Sequence, residues 1–93
     1  MEEKVRFSLT IDEVFDIFGI GVVITGKIEI GEIKNGDMLE LVDGDKDTRT
    51  KCKKLEKFRR VVTGAKQGDY VGINLSDLTK LDVRPGMKLV ILQ

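Results

Sequence analysis

Residues 15–31 read FDIFGIGVVITGKIEIG, an apolar, β-branched run interrupted by Gly19, Gly21, Gly26 and Gly31. Val22, Ile24, Ile28 and Ile30 share one parity, with Gly26 among them. Val23, Thr25, Lys27 and Glu29 share the other. A period of two is the mark of a strand with one buried and one wetter face. Glycine inside a strand marks a bulge, a bend or the close approach of another backbone. A strand that bends repeatedly suits a small barrel, so residues 20–30 are expected to be its central strand.

The flanks continue in the same style. Val5, Phe7, Leu9 and Ile11 alternate with Arg6, Ser8 and Thr10, which predicts a strand. Asp12-Glu13 breaks it, and Val14, Phe15 and Ile17 resume, giving one bulged strand or two short ones. Gly31–Gly36 carries turn chemistry, with Asn35-Gly36 a hairpin signal. Met38–Val42 is then expected as a strand antiparallel to its predecessor. Asp43–Thr50 reads as a polar loop, Lys51–Val62 as a basic strand and Thr63–Asp69 as a loop. Tyr70–Leu75 reads as a strand. Ser76–Val83 suggests a helical turn capped by Ser76 or Asp77. Pro85-Gly86 sets a turn before a closing strand, 87–92, with Met87, Leu89 and Ile91 on one side. Short strands at regular spacing and no long helix define an all-β class, a small barrel or sandwich, with an OB-type barrel as competitor.

Composition narrows the chemistry. The 93 residues suit one domain. There is no His, and the single Cys52 excludes an internal disulfide or a cysteine-cluster zinc site. No nucleophile–base or carboxylate pair stands out, so no enzyme activity and no cofactor are expected. With no membrane-length apolar run and no signal peptide, a cytoplasmic, reducing location is expected and a membrane partner is not. Charged residues make up 34% of the chain, with few Asn or Gln, a bias met in heat-adapted proteins. The zero net charge hides an asymmetry. Residues 1–50 hold six Lys/Arg against twelve Asp/Glu, and residues 51–93 hold ten against four. The second half can therefore meet an anionic partner locally.

Three motifs tempt and fail. Gly21, Gly26 and Lys27 fit a phosphate-binding P-loop, but Ile28 stands where a magnesium-binding hydroxyl belongs, and no helix follows. Asp16–Gly19 and Asp69–Gly72 each fit the D-x-x-G of GTPases, with no N-K-x-D to accompany them. Asp43, Asp45 and Asp47 imitate a calcium loop, yet Thr48 and Lys54 occupy its glycine and glutamate positions. More substantial is Lys51, Lys53, Lys54, Lys57, Arg59 and Arg60, six cations in ten residues opposed by Glu56 alone. Two readings stay open: a charged edge strand that resists aggregation, or a phosphate-contacting patch with Phe58 offering a stacking face beside Arg59 and Arg60.

Residues 14–42, VFDIFGIGVVITGKIEIGEIKNGDMLELV, resemble the start of the second domain of elongation factor Tu and related translational GTPases. The later Gly68-Asp69-x-Val71-Gly72, the Leu55–Arg60 run LEKFRR and the closing Arg84-Pro85-Gly86-Met87 match in order, so the resemblance covers residues 7 to about 90. It implies a closed six-stranded Greek-key barrel. It also implies a part in holding the aminoacylated 3′ end of tRNA, through Phe15, Ile17, Thr25, Glu56 and Arg59. Glu56 would pack against the terminal adenosine, and Arg59 would meet phosphate or ribose. The chain departs from the family at Ile20, where Arg is usual, and at Tyr70, Asn74 and Ser76-Asp77. With no GTP-binding motif set, the expectation is a stand-alone barrel that binds RNA or aminoacyl-tRNA weakly. The alternative is a module docking on a partner GTPase or other protein.

Overall fold

The computed structural model describes residues 4–43 and 46–93. Its longest strand is β3 (Gly21–Lys34), and the others are placed around it. In chain order they are β1 (Val5–Thr10), β2 (Glu13–Ile17), β3, β4 (Met38–Asp43), β5 (Lys46–Lys57), β6 (Arg60–Val62), β7 (Gly64–Lys66), β8 (Tyr70–Leu75) and β9 (Lys88–Leu92). Six of these close into a ring, β1-β9-β4-β5-β8-β3, sealed by β1 against β3, with every pair antiparallel. β2 adds to one part of β3 and β7 to another, while β6 folds back on β5. Closure leaves the ring itself without unpaired edges. Among the described residues there is no helix, and so none long and apolar enough to cross a membrane.

Two glycines let β3 serve so many partners. A Cβ on Gly26 would lie 2.5 Å from the Thr10 carbonyl oxygen, and one on Gly31 only 1.7 Å from that of Arg6. Gly31 is also left-handed, with φ +73°. The β1–β3 register slips between Ser8 and Leu9, opposite this bend. Val22, Ile24 and Ile28 point inward, as their parity predicts. Ile30 does not: the slip leaves it 47% exposed and hands the inward place to Ile33. Phe7, Leu9, Ile11, Leu39, Leu55, Ile73 and Leu89 fill the interior with them. Burying each such side chain contributes roughly 1.5–3 kcal/mol. Cys52 lies in this core, where burial, with Asp37 nearby, pushes its thiol up to about 11.

Several expectations are corrected. β4 does not pair with β3. The Lys34–Asp37 turn, closed by the Asp37 N–H on the Lys34 carbonyl (3.1 Å) and capped by Asp37 Oδ2, turns the chain away from β3, and β4 lies between β5 and β9. Residues 46–50 are strand rather than loop, because β5 pairs along β4 from Asp43↔Lys46 onward. Their polar side chains misled: Asp47 and Arg49 face solvent, while Thr50, though buried, donates its hydroxyl to the Ser76 carbonyl at 2.7 Å. Asp45, of the calcium-like triplet, lies outside the described residues. Lys51–Val62 is a hairpin, not one strand, and Gly64–Lys66 pairs with the end of β3. Residues 76–83 form turns without a helix. Ser76 Oγ accepts from the Lys51 N–H instead of capping one. Beside the β1–β9 pair, the Gln93 N–H donates to the Lys4 carbonyl at 2.9 Å, so the two ends of the described chain meet.

Candidate nucleic-acid interface

The outer face of β2-β3-β8-β5-β6 carries a groove whose floor follows one line of strand register. Glu13 pairs with Thr25, Thr25 with Gly72, Gly72 with Glu56, and Glu56 with Val61. Residues opposite one another on neighbouring strands hold their Cβ atoms about 4.5–5.5 Å apart. The middle of this line is a glycine, so the floor is open at its centre. Phe15, in register with Val23, lies one same-face step from this line in one direction, and Tyr70, in register with Lys27, one step in the other, while Phe58 and Arg59 line the groove from the β5–β6 corner. The groove has a volume of about 520 Å³. A smaller hollow of about 100 Å³ continues past Glu56 and Gly72 to Ile17, Ile20, Val23, Lys54 and Asn74.

The corner is where local structure conflicts with sequence preference. Phe58 and Arg59 connect β5 to β6 as a two-residue turn, with φ +53° and +62°. Two consecutive left-handed residues are the habit of Asn-Gly in hairpins. For bulky side chains the left-handed region is uncommon, and such residues cost of order 1–3 kcal/mol each. The return is exposure: Phe58 is 86% accessible, its ring held out beside the groove. Lys57 braces the corner, its Nζ 5.7 Å from the Phe58 centroid and 2.9 Å from Asp69 Oδ1. Asp69 is held below the usual carboxylate range, first by the Lys66 backbone N–H on Oδ2 (3.0 Å) and then by Lys57.

At the start of β8, Tyr70 Oη donates to Asp12 Oδ2 at 2.6 Å and lies 3.0 Å from Thr25 Oγ1. Donation to a carboxylate holds the phenol proton on, and the Tyr70 pKa is raised accordingly, the Asp12 hydrogen bond being the main cause. In the hollow, Asn74 Nδ2 donates to the Val22 carbonyl at 2.9 Å, fixing β8 to the start of β3. Lys54 Nζ lies 3.6 Å from Glu56 Oε1. The surface therefore offers an aromatic face, a guanidinium, a carboxylate and an apolar hollow. That set can stack a base, grip a phosphate and accept a hydrogen bond from a sugar or base.

Of the residues singled out from sequence, Phe15, Thr25, Glu56, Phe58 and Arg59 line the main groove, and Ile17 lines the hollow. Arg60 opens β6 opposite Lys57 and lines neither. Lys54, one of the six cations of the basic run, also lines the hollow, whereas sequence reading missed Glu13, Val23, Val71 and Gly72 as lining residues. A parity signal was available for two of them: Glu13 with Phe15, and Val23 with Thr25. The position of Gly72 needed the three-strand register.

The architecture is a closed six-stranded antiparallel barrel with a groove on its outer face, the fold of the translation-factor β-barrel domains it matches. The chain belongs to the elongation factor Tu domain 2 family, whose sequence model matches residues 21–90. Among solved structures it is similar to translation elongation factor SelB from Methanococcus maripaludis. The apo form matches with a TM-score of 0.85 and 31% identity over 94% of this chain and 18% of that one. The form in complex with the GTP analogue GppNHp gives 0.82 and 31%, over 94% and 19%. The chain thus spans about a fifth of the length of these relatives.

Proposed function

We propose that this barrel is a non-catalytic module of the translation apparatus, working in the cytoplasm. In this reading it binds weakly the unpaired 3′ end of an RNA, a tRNA acceptor end in particular, in the groove. The observation that carries the reading is the Phe58-Arg59 corner, a strained turn that presents a ring and a guanidinium beside the Glu13–Thr25–Gly72–Glu56 floor. Stacking of a base on an aromatic ring is worth about 1–3 kcal/mol by truncation. The Arg59 fork matches phosphate oxygens, and Glu56 accepts from an exocyclic amine or a ribose hydroxyl. An RNA end is the natural ligand for such a surface, because its bases are unstacked and open on every edge.

The test is a titration of isotope-labelled protein with an aminoacylated acceptor-stem RNA at two salt concentrations. Resonances of Phe15, Ile17, Thr25, Glu56 and Arg59 are expected to move together. Arg59→Ala should lower the salt slope by about 0.7, one single-strand phosphate contact. Gly72→Val should block the groove by filling its floor. Shifts scattered over the lysines that vanish with salt, or none at all, would remove the reading.

A second reading has its own observation. Phe18 is fully exposed at the β2–β3 turn, with Ile17 and Ile20 beside it also exposed. That apolar tip suits docking on a partner protein such as a GTPase. Capture of a partner that survives high salt and nuclease, and is lost in Phe18→Asp, would favour it.

A further inference from the structure

β5 carries a second feature that the groove does not use. Its register against β8 slips between Cys52 and Lys54. Cys52 and Leu55 both point into the core, so the slip turns Lys53 and Lys54 outward together, in line with Lys51. An outward row Lys51, Lys53, Lys54 results, and it runs into the hollow at Lys54. Lys51 lies opposite Met38 on β4 and Lys54 opposite Asn74 on β8, with the Asp37 carboxylate near enough to Cys52 to help raise its pKa. Lys54 is offset by Glu56 at 3.6 Å. Among the described residues Lys51 and Lys53 take part in no ion pair. Lys57, by contrast, is engaged with Asp69 at 2.9 Å. Lys51 and Lys53, two residues apart on the strand, stand roughly 6.6 Å apart, a spacing an extended single strand can follow from phosphate to phosphate, with Lys54 adjoining Lys53 at the bulge.

We propose that Lys51, Lys53 and Lys54 form a phosphate-tracking strip that receives the nucleotides preceding the RNA end held in the groove. The strip rests on the groove reading and extends it. The ligand is a single-stranded tail of several nucleotides, entering along β5 and finishing under Phe58 and Arg59. The bulge has a use here: without it, one of the two adjacent lysines would point into the core. An extended backbone of uniform negative charge matches a row of cations on one strand, and the contact carries no base preference.

The experiment measures fluorescence anisotropy of the 93-residue protein with single-stranded RNA probes of two and eight nucleotides ending in CCA or its last two bases, across a salt series. The wild-type protein is expected to bind the eight-nucleotide probe more tightly and with a steeper salt slope. In Lys51→Gln/Lys53→Gln the slope for the longer probe should fall by about 1.4, two phosphates at ~0.7 each, and its affinity at low salt by ~5-fold or more. Binding of the two-nucleotide probe should be unchanged. Gly72→Val separates the two ideas, since it blocks the groove and leaves Lys51 and Lys53, which line neither the groove nor the hollow, in place. If Lys51→Gln/Lys53→Gln binds the longer probe like wild type while Gly72→Val does not, the strip is wrong and the groove stands. If neither variant changes binding, both are wrong. An aspartate peptide of matched charge that competes as well as the RNA would also overturn the strip as an RNA site.

Discussion

Tyr70 and Asp12 meet across the groove wall, phenol to carboxylate at 2.6 Å, although 58 positions separate them. This hydrogen bond ties the start of β8 to the corner between β1 and β2. Tyr70 is the only tyrosine, and there is no tryptophan, so its ionisation can be followed by absorbance without interference. The phenol should titrate above its ordinary value, and Asp12→Asn should bring it back down. The sign follows from linkage. A phenol pKa raised by folding contributes stability that is complete below the unfolded value near ~10 and fades as pH climbs through the folded one. A Tyr70 titrating at or below the free phenol would contradict the contact.

The Phe58-Arg59 turn should be less stable than its obvious replacement. Changing the pair to Asn-Gly suits two left-handed residues and should raise stability by ~1–2 kcal/mol in urea unfolding. The same change should abolish the RNA-dependent shifts. A more stable protein that binds as before would mean the two side chains have no part in the groove.

Gly31 and Gly72 make a contrast within one barrel. A methyl on Gly31 would collide with the Arg6 carbonyl, and its backbone is left-handed. Gly31→Ala should therefore cost at least ~3 kcal/mol or prevent folding. A Cβ on Gly72 meets its nearest neighbours, Glu56 Cβ and the Ile24 carbonyl oxygen, at 4.0 Å. Gly72→Ala should stay within ~1 kcal/mol of wild type. Equal losses in denaturant titrations would remove the distinction on which the groove-blocking test depends.

The Cys52 thiol should behave as core. Pushed up to about 11 by burial, it should resist a thiol-reactive probe in the native state and react at the rate of unfolding. Because folding raises its pKa, stability should be complete below the ordinary thiol value of about 8.5 and decline as pH rises from there through the folded value. Rapid labelling of folded protein at neutral pH would show that this part of β5 opens locally.

The central strand was legible because Val22, Ile24 and Ile28 obey a strict parity and Gly26 stands where a neighbour crosses. Ile30 broke the parity because the Gly31 bend changes which side is inside, and nothing local marks a bend as a change of face. Residues 46–50 looked like loop for a related reason. A strand can be polar when one face is wet and the inward threonine finds a carbonyl, as Thr50 does at Ser76. The hairpin at Phe58-Arg59 was hidden because its residues are poor turn formers. As for the groove, Phe15, Thr25, Glu56 and Arg59 came from a family likeness and Phe58 from its chemistry. Their meeting on one floor depends on register between strands far apart in the chain.

The hydrogen bond from Gln93 to Lys4 has a consequence for how such a barrel can travel. Entry and exit lie side by side on β1 and β9, around the ring from the Phe58-Arg59 corner. A host polypeptide can leave its path, form the barrel and return to nearly the same point. Splicing the barrel into a surface loop of an unrelated protein should leave both folds intact, with the groove still facing water. The barrel is in that sense a portable cartridge, held by two adjacent threads.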